Sequence, residues 1–472
     1  MALPSNNLKL RFMWQYIGAM TVALPMLMLG MATAWPSPTL PKIKENNAPL
    51  SLDHSEISWV VSLMFFGNTL SPLPVGQLMD KIGRKWTLYV LNVMPLTAWI
   101  ITYYSPSAWY LYVARFLNGL AAGAAYTVCA VYIGEIAEPS IRGSMSNFNN
   151  LFKTLGGLLV FIVGPYVSYE TLALTCGLVP ALYFLVAAFI PESPYYLVMM
   201  NRKQEAKEAL RWLQRKDDPA LDQELAMVEK TVISQTQNKG SVKDLFKDRA
   251  NRKAVGITMI LSVVKNLSGY DVMMAYTSTT LPPEAFNSFG PNECVIILGV
   301  ISVVTCIGSI FILDKYPRRF LLTLSSLGCS IMTLLPGLWF FLNDNTSVDV
   351  SAFAQIPFYC FAIHAVVYSV GLGPIVANVK GELFSANVKA VCSAMTSIVF
   401  AILSFLSTKI YLIISDSMGV YVNYLLYAIG CALGTLLIRK YVIETRGKSL
   451  HEIQIRLSER NKTTSVSVIS HR

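Results

Sequence analysis

The sequence predicts an all-α, polytopic membrane protein with twelve transmembrane helices in two pseudo-symmetric six-helix bundles. Three observations carry that expectation. Hydrophobic residues make up 54% of the 472 and charged residues only 14%, against about 25% charged in soluble domains, and mean hydropathy is +0.48. Apolar runs long enough to span a bilayer, about 20 residues each, recur along the chain. Charge is distributed unevenly between alternate loops.

Twelve runs qualify: 12–34, 57–79, 86–104, 109–136, 145–168, 171–190, 254–280, 293–313, 319–342, 352–376, 388–414 and 418–439. The first invites a second reading. Lys9 and Arg11 precede it and Ala32-Thr33-Ala34 resembles a cleavage site, as in a secretory leader; its length and the six-plus-six count favour a span. The expected domains are 1–190, a first six-helix bundle; 191–253, a cytosolic helical linker; 254–440, a second six-helix bundle; and 441–472, a cytosolic tail.

The loops orient the chain. One set carries Lys81, Arg84, Lys85, Arg142, the basic residues of 202–253, Lys315, Arg318, Arg319 and Lys389, joined at the ends by Arg439, Lys440, Arg446 and Lys448. The alternate set carries Glu170, Glu284, Glu293, Asp344, Asp349 and Asp416, with Lys42 and Lys44 its basic residues. Positive loops stay inside, so both termini and the linker are expected in the cytosol. The net charge of +10 then points to the anionic inner leaflet and not to nucleic acid. Asn345-Thr346-Ser347 falls outside as a possible glycosylation site. The eight cysteines lie in or beside apolar runs with neither metal nor pairing spacing, and read as small packing residues. There is no P-loop, metal cluster or nucleophile–base–acid set, so neither a cofactor nor enzymatic activity is expected.

The halves echo each other. GQLMDKIGRKWTL (76–88) matches LDKYPRRFLL (313–322), GEIAEPSIRGSMS (134–146) matches GELFSANVKAVCS (381–393), and PESPYYL (191–197) has a weaker counterpart in IETRGKSL (443–450). Such duplication marks secondary transporters, whose solute site lies between the halves near mid-membrane. The charged residues of these motifs are Asp80, Arg84, Lys85, Glu135, Arg142 and Glu192, then Asp314, Arg318, Arg319, Glu382, Lys389 and Glu444. They are candidates for an inner-mouth network that holds the halves together in one state and releases them in another; the alternative is topological anchoring. In the linker, Ala206, Ala209, Leu210 and Leu213 form one helical stripe and Leu221, Leu225, Val228 and Val232 a second, while Ser241 resembles the N-cap of a third helix. These helices serve either as a latch under the bundles or as a solubilising linker.

With these residues in view, the chain resembles the sugar porter branch of the major facilitator superfamily, with a flavour similar to the insect facilitative trehalose and glucose transporters. GQLMDKIGRK (76–85), RFLNGLAAG (115–123), YIGEIAEPSIRG (132–143), PESPYYL (191–197), LSGY (267–270), GLGPI (371–375), GELF (381–384) and ETRGKSL (444–450) occur in the family's order. The resemblance implies the major facilitator fold and alternating access about a central cavity.

The departures fall where the family binds sugar. Asn150 stands at the position of a sugar-binding Gln, and three residues on is Lys153. The family's QQLSGIN is here Lys265-Asn266-Leu267-Ser268-Gly269-Tyr270-Asp271. Amides both donate and accept; Lys only donates and a carboxylate only accepts. The family's Pro-Trp after GxGPI is Val376-Ala377, followed by Asn378, and its Asn-Trp pair in the eleventh span is Phe400-Ala401. A lysine at mid-membrane costs about 2.5–3.5 kcal/mol on insertion scales, so Lys153 reads as cavity-facing and functional, against a lysine that snorkels to an interface. The candidate substrate-binding residues are Asn150, Lys153, Lys265, Asn266, Asp271 and Asn378. His364 reads as a proton carrier or a hydrogen-bonded packing residue.

The expected function is movement of a sugar, polyol or charged organic solute across the cell membrane by a monomeric unit; the resemblance implies facilitated diffusion, since proton-coupled sugar porters commonly carry an Asp in the first span and 12–34 holds no Asp or Glu. The alternatives are a proton-coupled symporter and a non-transporting solute sensor on the same scaffold.

Overall fold

The computed structural model describes residues 5–45, 47–138, 141–216, 218–237, 246–282, 290–313, 315–384, 386–446, 448 and 450–458. Among them every regular element is helical. The first half contains α1 (Ser5–Ala34), α2 (Pro36–Lys44), α3 (His54–Leu70), α4 (Pro72–Ile82), α5 (Arg84–Tyr103), α6 (Ala108–Ile136), α7 (Arg142–Val163) and α8 (Tyr169–Ala187). The linker contributes α9 (Pro194–Met199), α10 (Lys203–Gln214) and α11 (Asp218–Gln237). The second half contains α12 (Arg249–Leu267), α13 (Tyr270–Thr280), α14 (Pro291–Leu313), α15 (Arg318–Asn345), α16 (Ile356–Val370), α17 (Leu372–Leu383), α18 (Ala386–Met418) and α19 (Val420–Tyr441), and α20 (Leu450–Ser458) follows.

Among the described residues nine helical stretches are long and apolar enough to cross a membrane. The other three expected spans are the α3–α4 pair, α5, and the α12–α13 pair. Two of these are broken: α3, α4 and α13 are short, at 17, 11 and 11 residues, and α12 carries Arg249, Arg252, Lys253 and Lys265. Pro72 opens α4 directly after Leu70-Ser71, and a proline cannot donate to the preceding turn. Gly269 takes φ +72° between α12 and α13, a left-handed conformation that favours glycine. The expected tenth span, 352–376, is also two helices, α16 and α17, parted at Gly371. Breaks at membrane depth are tolerated where the freed backbone lines a cavity or is buried in protein.

Small residues bring helices close. A Cβ placed on Gly156 of α7 would lie 2.0 Å from the Leu27 carbonyl oxygen of α1, so α1 and α7 pack backbone to backbone, as membrane helices do where lipid gives no hydrophobic drive. The first half forms one buried cluster that includes Ala19, Met26, Trp35, Trp99, Cys129 and Tyr169; residues of the first span are thus part of its core. The second half has one cluster around Leu261, Leu322, Ile375 and Cys431 and another around Met273, Phe340, Phe361 and Tyr424. All eight cysteines are buried and unpaired.

On the linker, Ala206, Ala209, Leu210 and Leu213 of the first stripe and Leu221 and Val228 of the second are buried, while Leu225 and Val232 are half-buried. Trp212 packs edge-on to Trp14 with ring centroids 5.1 Å apart, and Arg215 lies over the Trp14 ring at 4.6 Å. Lys216 reaches Glu138 at 3.6 Å. These contacts fasten α10 beneath α1. The helix expected from Ser241 lies outside the described residues.

Candidate functional site: a charged cluster between two helical halves

Three cross-half contacts frame the site. Helix α3 packs on α18, α7 on α14, and α2 on α13. On one face of the molecule, which the charge pattern assigns to the outside, the halves are joined. His54 Nδ1 meets Asp416 Oδ2 at 2.9 Å. The Ser58 hydroxyl donates to the Lys409 carbonyl at 2.9 Å, and the Lys409 ammonium lies 3.9 Å from the centre of the Trp59 ring. Beneath them Leu40, Ile57 and Val61 share an apolar cluster with Val272, Ala275, Tyr276, Tyr411 and Tyr427. Lys42, an exception to the charge rule, donates to the carbonyls of Gly164 and Val167 just past the end of α7, where a cation complements the helix dipole.

Midway across, Lys153 Nζ of α7 stands 4.0 Å from Asp271 Oδ1 of α13; their side chains are 26% and 13% exposed. Asp271 lies in the first turn of α13, just after the break at Gly269. Tyr126 of α6 interacts electrostatically with Lys153 and is 42% exposed. Lys265, in the last turn of α12, is half-buried. Its ammonium donates to the Gly373 carbonyl at 3.2 Å and sits over the Phe400 ring at 5.3 Å. Tyr270 stacks on Tyr368, with centroids 4.0 Å apart and planes 6° from parallel, and forms a flat wall beside the charges. Asn150 donates to Cys306 Sγ of α14 at 3.3 Å, across the halves.

Asn266 sits differently. It is 7% exposed; its amide donates to Ser404 at 3.0 Å and accepts from Ser407 at 2.6 Å. Both ends are taken by α18, so this side chain ties the broken span to its neighbour within one half. Asn378 is half-buried on α17. His364 is fully buried, and its Nε2 lies 2.9 Å from the Ser268 carbonyl oxygen, which steadies the chain at the break.

The residues expected at the inner mouth form two equivalent sets. Arg84 holds Glu135 through two hydrogen bonds of 2.9 Å each, with Asp80 at 3.9 Å. Glu192 accepts from the backbone N–H groups of Arg84 and Lys85 at 2.9 and 3.0 Å, capping α5. In the second half Arg318 lies 3.6 Å from Glu382, and Glu444 accepts from the N–H groups of Arg318 and Arg319 at 2.9 and 3.0 Å, capping α15. Burial would raise the Glu444 carboxyl, but the N–H groups of Arg446, Arg319 and Arg318 outweigh it and hold the carboxyl below its ordinary value. The Arg142 guanidinium donates to the Ala137 carbonyl at 3.3 Å. The Arg84–Glu135 and Arg318–Glu382 contacts each stay inside one half in this conformation. Asp314 and the side chain of Lys389 lie outside the described residues.

Sequence reasoning passed over Arg115. It is 3% exposed in α6, its Nε donates to the Val60 carbonyl at 2.9 Å, and it lies over Trp35 at 5.7 Å. The rule that singled out Lys153, an ionisable group inside a span, applies to it equally. Tyr126 and the Tyr270–Tyr368 stack carried no such signal, because aromatic residues are common in any span.

Paired helical halves, broken spans and a charged cluster between them define a secondary membrane carrier of the major facilitator fold. The chain belongs to the family described as sugar (and other) transporters, whose model matches residues 27–457. It is 28% identical over 451 residues to the facilitated trehalose transporter Tret1 of Bombyx mori, covering 95% of this chain and 88% of that protein. To Tret1 of Drosophila willistoni it is 27% identical over 459 residues, and there it spans about half the relative, 52%. The fold is similar to the partially occluded, inward-open xylose transporter XylE from E. coli, with a TM-score of 0.77 over 93% of this chain and 100% of that one, at 19% identity.

Proposed function

We propose that the protein carries a sugar or sugar-like solute across the plasma membrane by alternating access, as a monomer and by facilitated diffusion. The relatives named for facilitated trehalose transport and the xylose transporter fold support sugar as the substrate class. Residues 1–190 and 254–440 act as the rocking bundles, 191–253 and 441–472 lie in the cytosol with both termini, and the bilayer surrounds the bundles. Asn150, Lys153, Lys265, Asp271 and Asn378 face the solute, with Asn266 supporting the break behind them. Arg84, Glu135 and Glu192, and their counterparts Arg318, Glu382 and Glu444, keep each bundle rigid as it moves.

One observation carries the reading: Lys153 and Asp271 belong to different halves and meet at membrane depth, 4.0 Å apart. Ionisable groups there are costly and mark substrate pathways. The absence of Asp and Glu from 12–34 favours facilitation over proton coupling. The test is uptake into proteoliposomes from a panel of hexoses, disaccharides, polyols and organic anions. Saturable uptake that equilibrates without overshoot is expected. Accumulation driven by a proton gradient overturns facilitation, and no uptake of any panel member overturns transport.

A further inference from the structure

The mid-membrane cluster carries unequal charge. Asp271 faces Lys153 at 4.0 Å. Lys265 has a carbonyl, Gly373 O at 3.2 Å, and the Phe400 ring as its close contacts. By formal charge, one carboxylate, Asp271, therefore stands against two lysines, Lys153 and Lys265. An ammonium has three donors. The Gly373 carbonyl occupies one of those of Lys265, and an aromatic face attracts the cation without neutralising it. Between low-dielectric walls such an excess draws anions in.

The surroundings are suited to more than a bare ion. Asn150 presents an amide at the junction of α7 and α14, Tyr126 a phenol beside Lys153, and Tyr270 with Tyr368 a flat stacked wall. An amide and phenol rings thus accompany the charged residues.

We propose that the solute is a polyhydroxylated monocarboxylate, a sugar acid, held by its carboxylate between Lys265 and Lys153 and by its hydroxyls at Asn150, Tyr126 and Asn378. This rests on the transporter reading and narrows its substrate class. A carboxylate accepts from two ammonium groups through charge-assisted hydrogen bonds, which are worth more than neutral ones. It also competes with Asp271 for Lys153. The arriving solute therefore loosens a contact between the halves, and its binding favours the state in which they part.

The test uses the full-length protein in liposomes and measures counterflow of labelled D-glucuronate, D-gluconate, D-glucose and trehalose, alongside thermal stabilisation of the detergent-purified protein by D-glucuronate and D-glucose. Sugar-acid exchange should exceed glucose exchange by about tenfold or more, the scale of one charge-assisted bond. Lys265→Gln should lose most of that preference and Lys265→Arg should keep it. Should Lys265→Gln fail to fold, stabilisation of the wild type by D-glucuronate, weakened by salt, supports the proposal by itself. Exchange of glucose or trehalose without either acid overturns the sugar-acid inference and leaves the carrier standing. Stabilisation by D-glucuronate with no exchange of any solute supports the site and overturns the carrier. Neither exchange nor stabilisation overturns the inference.

Discussion

Lys153 and Asp271 form an ion pair between two bundles, 4.0 Å apart inside the membrane, with each partner fixed to a different half. Because the pair is largely desolvated, removing one member leaves the other exposed to the full cost of its surroundings. Lys153→Gln and Asp271→Asn should each destabilise more than the double variant predicts by addition. A double-mutant cycle read by thermal unfolding should return a coupling of about 0.5–3 kcal/mol. Simple additivity would mean that the two charges do not sense each other.

Arg84 braces the inner end of the first bundle through both oxygens of Glu135. Arg84→Ala should lower turnover more than apparent affinity, because the loss falls on the conformational step. Arg84→Lys should not restore it, since a single ammonium cannot reproduce the two-pronged grip. Initial-rate transport over a range of solute concentrations separates the two parameters, and a change confined to affinity would contradict the bracing role.

Glu444 repeats in the second half what Glu192 does in the first. Its carboxyl is held below the ordinary 4.5 despite burial, so the stabilisation is complete above that value and is lost as pH falls through the lowered one. Glu444→Gln should therefore melt below the wild type at pH 7, and the difference should narrow as the medium is acidified below pH 4.5. A gap that stays constant with pH would show that the charge is not what caps α15.

Gly269 permits the break that brings Asp271 to face Lys153. Its φ is +72°, and a Cβ there would lie 2.6 Å from Tyr427 Cδ2. Gly269→Ala should cost about 1–2 kcal/mol in backbone strain alone, with the clash in addition, and should lower the melting temperature and solute exchange together. Wild-type stability in that variant would refute the constraint.

Much of this architecture can be read directly from residues. Apolar length and the loop charges of Lys81, Arg142 and Arg319 give the spans and their order, because a bilayer admits few alternatives. The weak match between PESPYYL and IETRGKSL proved to contain Glu192 and Glu444, which perform the same capping in each half. Direction was less accessible. Asn266 and Asp271 look equally polar in sequence, yet one faces α18 and the other Lys153, because the turn at Gly269 redirects the chain between them. Whether Arg84 and Arg318 link the halves or stiffen each one depends on the conformational state, and a sequence does not specify which state is adopted.

At the outer face, Leu40, Ile57 and Val61 meet Val272, Ala275 and Tyr276 as an apolar seal. Parting it exposes nonpolar surface to water, so outward opening should carry a positive heat-capacity change. Such contacts weaken on cooling. Chilling should thus tip the carrier toward its extracellular-facing form, and the activation enthalpy of opening should vary with temperature.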